Sequence, residues 1–167
     1  MTGLPQLPSQ LQHFRDYTTS LVLKNRELQL RCEYKVYRSP LCHVCCIHIN
    51  EANVRLACAN LKVDIQKVVE ESGEHTIIES DPGVAVTNVE CSRELGGHGV
   101  GVWLWDSVVA LLPELAVSTQ RKIRHVVTQK PRNMPLIKWE KMFAGRIAKY
   151  QAIAGSAPRQ WFLDFPN

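Results

Sequence analysis

An α+β fold is expected for this chain: an antiparallel β-sheet with two C-terminal helices packed on it. Three observations predict it. Apolar and polar residues alternate over much of residues 19–105, short turn signals separate those runs, and helical stripes are read from Pro113 onward. The 167 residues suit one domain. We divide them into a loose Pro-containing arm over 1–18 and a single α+β domain over 19–167. That domain is β-rich over 19–105, helical and basic over 107–155, and closed by a short strand over 159–165.

Each element has a local reason. In the arm, Leu4-Pro5-Gln6-Leu7-Pro8 sets two prolines among two leucines, too broken to fold alone. Leu4, Pro5, Leu7 and Pro8 are therefore candidates for self-association, docking in a neighbouring subunit's groove. Over Glu27–Tyr37, Leu28, Leu30, Cys32, Tyr34 and Val36 share one face, and Gln29, Arg31, Glu33 and Lys35 the other. Ser39-Pro40 turns the chain into a buried strand over Leu41–Ile49, and Asn50–Asn53 turns it again into Val54–Ala59. Leu61–Ile65 either continues that strand or opens a short helix through Lys67–Glu70. Glu71–Glu74 is a turn, and His75–Glu79 and Val84–Val89 flank the hairpin signal Ser80-Asp81-Pro82-Gly83.

The first helix is expected from Pro113, a residue suited to the first helical position, and ends before Pro131. Leu115, Ala116, Thr119, Ile123, Val126 and Val127 form its stripe. The second is expected over Leu136–Ala154, with Trp139, Met142, Phe143, Ile147, Tyr150 and Ile153 on one face and Gly155 as its C-cap. Arg159–Phe165 then alternates as a strand.

Composition excludes several classes. At 45% hydrophobic and 22% charged, the chain is neither disordered throughout nor fibrous. No apolar run reaches the roughly 20 residues of a membrane-spanning helix, and residues 1–20 lack the pattern of a secretory signal. An intracellular, leaderless domain is expected.

Charge is unevenly placed. Residues 1–120 sum to −4, whereas residues 121–167 hold ten Lys/Arg against two acids and sum to +8. Such a basic third points to an anionic partner, nucleic acid or an acidic membrane. Its candidate contacts are Arg121, Lys122, Arg124, Lys130, Arg132, Lys138 and Lys141.

Other motifs invite a chemical reading. Cys42-His-Val-Cys45 has zinc-knuckle spacing, but residues three apart in a strand point to opposite faces, so no metal is expected there. The six cysteines are read as reduced and mostly buried. Gly96-Gly97-His98-Gly99-Val100-Gly101 invites a phosphate-loop reading. We reject it: a P-loop needs Lys-Ser/Thr after its glycines, a dinucleotide fingerprint needs a strand before, a helix after and an acid further on, and Val102-Trp103-Leu104-Trp105 reads instead as an aromatic strand or hydrophobic insertion. Trp103 and Trp105 are thus candidates for an interface loop. Among the six histidines none carries a catalytic motif, and Cys42 with His48 is the nearest approach to a nucleophile and base. A non-enzymatic protein without cofactor or small-molecule substrate is expected.

The run Lys138-Trp-Glu-Lys-Met-Phe-Ala-Gly-Arg-Ile-Ala-Lys149, followed by small residues and Trp161-Phe-Leu-Asp164, resembles the C-terminal end of rhabdovirus matrix proteins. The resemblance implies a viral matrix-type structural protein of the virion. It would self-associate into a lattice, bind viral nucleoprotein–RNA and line the inner face of the envelope against acidic lipid, working in host cytoplasm and at membranes. The arm carries neither Pro-Pro-x-Tyr nor Pro-Thr/Ser-Ala-Pro and has no lysine before Lys24, which shifts the anionic contact to the C-terminal basic face. The alternative from a different class is a sequence-tolerant RNA-binding protein, such as a viral silencing suppressor, using the same basic residues with exposed aromatic rings.

Overall fold

The computed structural model describes residues 4–80, 83–131, 134–143, 149–152 and 160–164. After a single turn of helix α1 (Leu11–Phe14), four strands run as an antiparallel meander: β1 (Tyr17–Leu23), β2 (Arg26–Arg38), β3 (Leu41–Glu51) and β4 (Val54–Asp64). Alternation sorts their side chains by face. Cys32, Ile47, Ala59 and Val89 stand in one row across β2, β3, β4 and β7 (Val84–Cys91), and all four are buried. The adjacent row, Glu33, Cys46, Asn60 and Asn88, points the other way. Cys42 and Cys45 therefore lie on opposite faces of β3. Leu61–Asp64 continues β4, and the chain then makes a separate two-stranded ribbon, β5 (Gln66–Glu71) and β6 (Glu74–Glu79). The turn signal at Asp81-Pro82 lies outside the described residues.

The expectation of an antiparallel sheet with two C-terminal helices packed on it is corrected beyond β7. Helix α2 (Val100–Thr119) leads to β8 (His125–Gln129), which pairs parallel with β7. Helix α3 (Leu136–Phe143) precedes β9 (Lys149–Ala152) and β10 (Gln160–Asp164). The main sheet is thus mixed, in the order β1-β2-β3-β4-β7-β8-β10-β9.

Two features explain the difference. Leu104, Trp105, Val108, Leu111, Leu112 and Leu115 recur at three- and four-residue steps and are buried, so α2 starts well before Pro113, which sits inside it. The helix stops at Gln120, in the left-handed region at φ 55°. Beyond it the β-branched run Val126-Val127-Thr128 takes strand geometry over the helical period. Of the second expected helix, Leu136–Phe143 is helix and Lys149–Ala152 is strand. Residues 144–148 and 153–159, the rest of that helix with its Gly155 cap, lie outside the described residues.

By length and composition α2 could cross a membrane, contrary to the expectation from apolar runs. Here its apolar stripe packs on β4 and β7. Trp105 and Trp139 of α3 are fully buried edge to face, ring centroids 5.8 Å apart, joining α3 to α2. At its far end α2 is tied to the sheet by the hydrogen bond between Ser118 Oγ and Tyr34 Oη (2.8 Å), the latter also bonded to His43 Nδ1 of β3 (2.6 Å).

Candidate functional site

A parallel pair joined through a helix, set into an otherwise antiparallel sheet, creates an opening. β7 stays paired with β4 as far as Ala57↔Cys91, but with β8 it pairs only from Val84↔His125 to Thr87↔Thr128. Beyond that row the two strands part, and the edge of β7 over Asn88–Cys91 has no β8 register. A cleft of about 420 Å³ occupies the gap. Asn88 and Glu90 line it from one face of β7, Val89 and Cys91 from the other. Lys130 and Lys138 stand across from them. Thr128, in the last paired row, is buried, and its Oγ1 meets no hydrogen-bond partner among the described residues.

The segment from β7 to α2 lies alongside. Ser92 Oγ accepts from Glu94 N–H (3.3 Å), opening a 3-10 turn over Arg93–Leu95. Gly97 and Gly99 then take φ of 82° and 72°, values that side-chain-bearing residues adopt only with strain. Gly99 is the N-cap of α2, and no side chain caps it. The first N–H groups of a 20-residue helix thus open toward exposed glycines, at the positive end of its dipole. The expectation that residues 102–105 form an aromatic strand or insertion is therefore corrected. The glycine run thus has a strand before it and a helix after it, although no Lys-Ser/Thr follows its glycines as a P-loop requires.

The electrostatics around the cleft are mixed. Burial raises the Cys91 thiol pKa, while Lys138 and Lys24 pull it down. Lys130 Nζ donates to the carbonyls of Pro131 (3.2 Å) and Met134 (2.8 Å), fixing the loop after β8. Arg26 forms ion pairs with Glu94 and with Glu51, the latter at 3.6 Å. Glu90 is the one carboxylate among the lining residues.

The basic residues singled out in the sequence separate into two places, because the segment expected as one helix ends at Thr119 and continues as strand β8. Arg121, Lys122 and Arg124 lie before β8, where Arg121 meets Glu79 at 3.7 Å and Lys122 and Arg124 are exposed. Lys130 and Lys138 wall the cleft at the other end of β8, and Lys141 is exposed on α3. Arg132 lies outside the described residues. Leu4, Pro5, Leu7 and Pro8 line a cavity of their own chain together with Trp103, whose Nε1 donates to the Pro5 carbonyl (3.0 Å). Trp105, expected at an interface loop, is core. Cys42 and His48 share a face of β3 six residues apart, roughly 20 Å along the strand, and burial raises the Cys42 pKa. The matrix-like stretch 138–164 covers α3, β9 and β10.

Sequence reasoning missed the cleft residues Asn88, Glu90, Cys91 and Arg93. The signal that could have found them was the helical spacing of Leu104, Trp105, Val108 and Leu111 behind the glycines.

No known family model matches the chain, and no curated protein does. Solved structures give matches. The GNAT domain of S. lividans PAT superposes with a TM-score of 0.39 at 18% identity, over 73% of this chain and 60% of that one. A mutant of the cAMP-binding acyltransferase from Mycobacterium smegmatis gives 0.44 at 12% identity, over 94% and 50%. An acetyltransferase of the GNAT family from Streptococcus pneumoniae gives 0.37 at 10% identity, over 72% and 64%. The chain thus matches about half to two thirds of the length of each. The expectation of a non-enzymatic protein is not carried forward, because structures named as a cAMP-binding acyltransferase and an acetyltransferase of the GNAT family stand against it. At TM-scores below 0.5 they assign no reaction to this chain.

Proposed function

We propose that the cleft between β7 and β8 binds an extended, phosphate-bearing acyl carrier, and that the protein transfers the acyl group to a nucleophilic acceptor. The observation that carries the reading is the parting of β7 from β8, in a cleft whose wall residue Met142 lies against Gly101 in the first turn of α2. Acyl transfer, the activity for which the superposed structures are named, enters only as part of this proposal.

The residues suit each portion of such a ligand. Phosphate would meet the uncapped first turn of α2 after Gly99, with the exposed guanidinium of Arg93 nearby in sequence. An amide-bearing arm would hydrogen bond along the β7 edge at Asn88–Cys91, as an added strand does. A bound thioester would supply the activated acyl group. Glu90, the lining carboxylate, would accept the proton of an attacking amine as the C–N bond forms and the thioester C–S bond breaks, the carrier leaving as its thiol with that proton.

The test is thermal unfolding and calorimetry with acetyl-coenzyme A. Saturating ligand is expected to stabilise the wild-type chain by about 2.7 kcal/mol at a hundred times Kd. Gly99→Val, which strains the left-handed N-cap, is expected to weaken binding at least tenfold, and Glu90→Gln to leave binding intact while slowing acyl transfer to amines. Wild-type protein that stays folded and neither binds the carrier nor transfers acetyl ends the proposal.

A further inference from the structure

The ribbon β5–β6 belongs to a separate sheet and leaves the main one between β4 and β7. Its root is fixed by hydrogen bonds from Ile65 N–H to the Leu41 carbonyl (2.9 Å) and from Ser80 N–H to the Ile65 carbonyl (3.0 Å). Past the root it is exposed nearly throughout: every residue of β6 is exposed, and so are four of the six in β5. A two-stranded ribbon standing alone in water is marginally stable. This one also presents β-branched apolar residues to solvent, with Val68 at 47%, Ile77 at 47% and Ile78 at 41% exposure. Val68 and Ile77 are directly opposite in the register, so they form one apolar patch at the ribbon's middle.

Charge divides the ribbon lengthwise. Residues 66–79 hold four Glu against one Lys, and three of the four, Glu70, Glu71 and Glu74, crowd the tip. Glu71 and Glu74 face each other across the register, a like-charge pair that disfavours the ribbon by itself. The root is bordered instead by cations: Arg121 reaches Glu79, and the exposed Lys122 and Arg124 follow on the same segment. From root to tip the ribbon is therefore basic-flanked, apolar, then acidic, over six residues or roughly 20 Å.

That order is complementary to itself when reversed. We propose that the β5–β6 ribbon is a dimerisation arm. Ribbons from two copies of this chain lie side by side and antiparallel about a two-fold axis, with the Val68/Ile77 patches in contact at the centre. Each acidic tip reaches Lys122 and Arg124 at the partner's root. A two-fold interface must match the same surface to itself, and this arrangement covers the exposed apolar pairs while neutralising both tips. It is independent of the acyl-carrier reading.

The experiment is sedimentation velocity on the full chain at about 50 mM and about 500 mM salt, a range over which screening shortens severalfold. A dimer at low salt that weakens at least tenfold at high salt is expected. Val68→Asp should give a monomer with unchanged circular dichroism, since the ribbon lies outside the core. Two charge reversals supply the decisive arm: a tip variant (Glu70→Lys, Glu71→Lys, Glu74→Lys) and a root variant (Lys122→Glu, Arg124→Glu). Each should be monomeric alone, because tip and root then carry like charge, and a mixture should form a heterodimer in which both contacts are restored. A wild-type monomer at low salt, a dimer surviving both reversals, or a mixture that stays monomeric would each overturn the proposal.

Discussion

Cys32 and Cys45 show how strongly single positions feel the sheet. Both are buried in the row-by-row core between β2 and β3, and desolvation pushes each thiol up to about 12 from an ordinary 9.0. At pH 8 their thiolate population is then roughly a thousandfold below that of an ordinary cysteine, and only thiolate alkylates. Iodoacetamide mapping of the native protein should leave both unmodified, and denaturant should expose all six cysteines. Fast native labelling of Cys32 would contradict the burial. Tyr34 and His43 are coupled in the same interior. Burial lowers the His43 pKa below 6.5, so the ring is neutral there, and its Nδ1 and Ser118 Oγ both share hydrogen bonds with the Tyr34 phenol. Tyr34→Phe strands that Nδ1 and should cost about 1–3 kcal/mol in urea unfolding. The pH dependence has a definite sign. His43 and His48 are both lowered in the fold, so below 6.5 the unfolded chain binds more protons than the folded one. Stability should be full above 6.5 and fall as pH drops toward the folded-state values, with His43→Asn flattening part of the slope. A urea midpoint constant from about pH 7.5 to about pH 5 would contradict this.

Among the elements, α3 depends most on a single contact. It is eight residues long, too short to persist by propensity, and its one fully buried side chain among those described is Trp139, set edge-on to Trp105. Trp139→Ala should cost about 3–5 kcal/mol and free the Lys138 wall of the cleft. Unfolding measurements together with carrier affinity would check both effects, and an unchanged affinity would mean that α3 does not shape the cleft. Gly101 is the near approach of α2 to α3, since a Cβ there would come within 2.7 Å of Met142 Cε. That atom ends a flexible side chain and can move aside. Elements were legible from sequence where one face is buried and one wet. β2 is the clearest case, its Leu28, Leu30, Cys32 and Tyr34 alternating with polar residues as expected. Legibility failed where burial surrounds the segment. Val102–Trp105 looks like a strand because both its sides are apolar, and only the longer spacing through Leu115 shows the helix. The opposite error befell Ile123, Val126 and Val127, whose helical spacing was outweighed by β-branching. Those two misreadings hid the strand–glycine–helix–strand unit, and with it the cleft.

At the scale of the whole molecule, the sheet consists of two parts meeting at one seam. β1 to β4 and β7 form one, with β2 and β3 paired from Gln29–Asn50 to Arg38–Leu41. β8, β10 and β9 form the other, and its strand contact with the first is the row from Val84–His125 to Thr87–Thr128, supported by α2. No single residue reveals such a seam, because parallel pairing of β7 with β8 follows from the crossover between them and not from either strand's pattern. Local opening free energies follow the packing and pairing that must be broken. Amide hydrogens of β8 and β10 should therefore exchange well before those of β2, β3 and β4. If the acyl carrier bridges the parted strands, acetyl-coenzyme A should slow exchange at Asn88–Cys91, Gln129 and the first turn of α2, and leave the β5–β6 ribbon untouched. Dimerisation through the ribbon should do the reverse, protecting Val68 and Ile77 as concentration rises at low salt. Hydrogen exchange followed by mass spectrometry thus separates the two proposals in one sample. Protection that spreads evenly over both sheets on adding the carrier would mean global stabilisation, and the cleft would lose its claim to be the binding site.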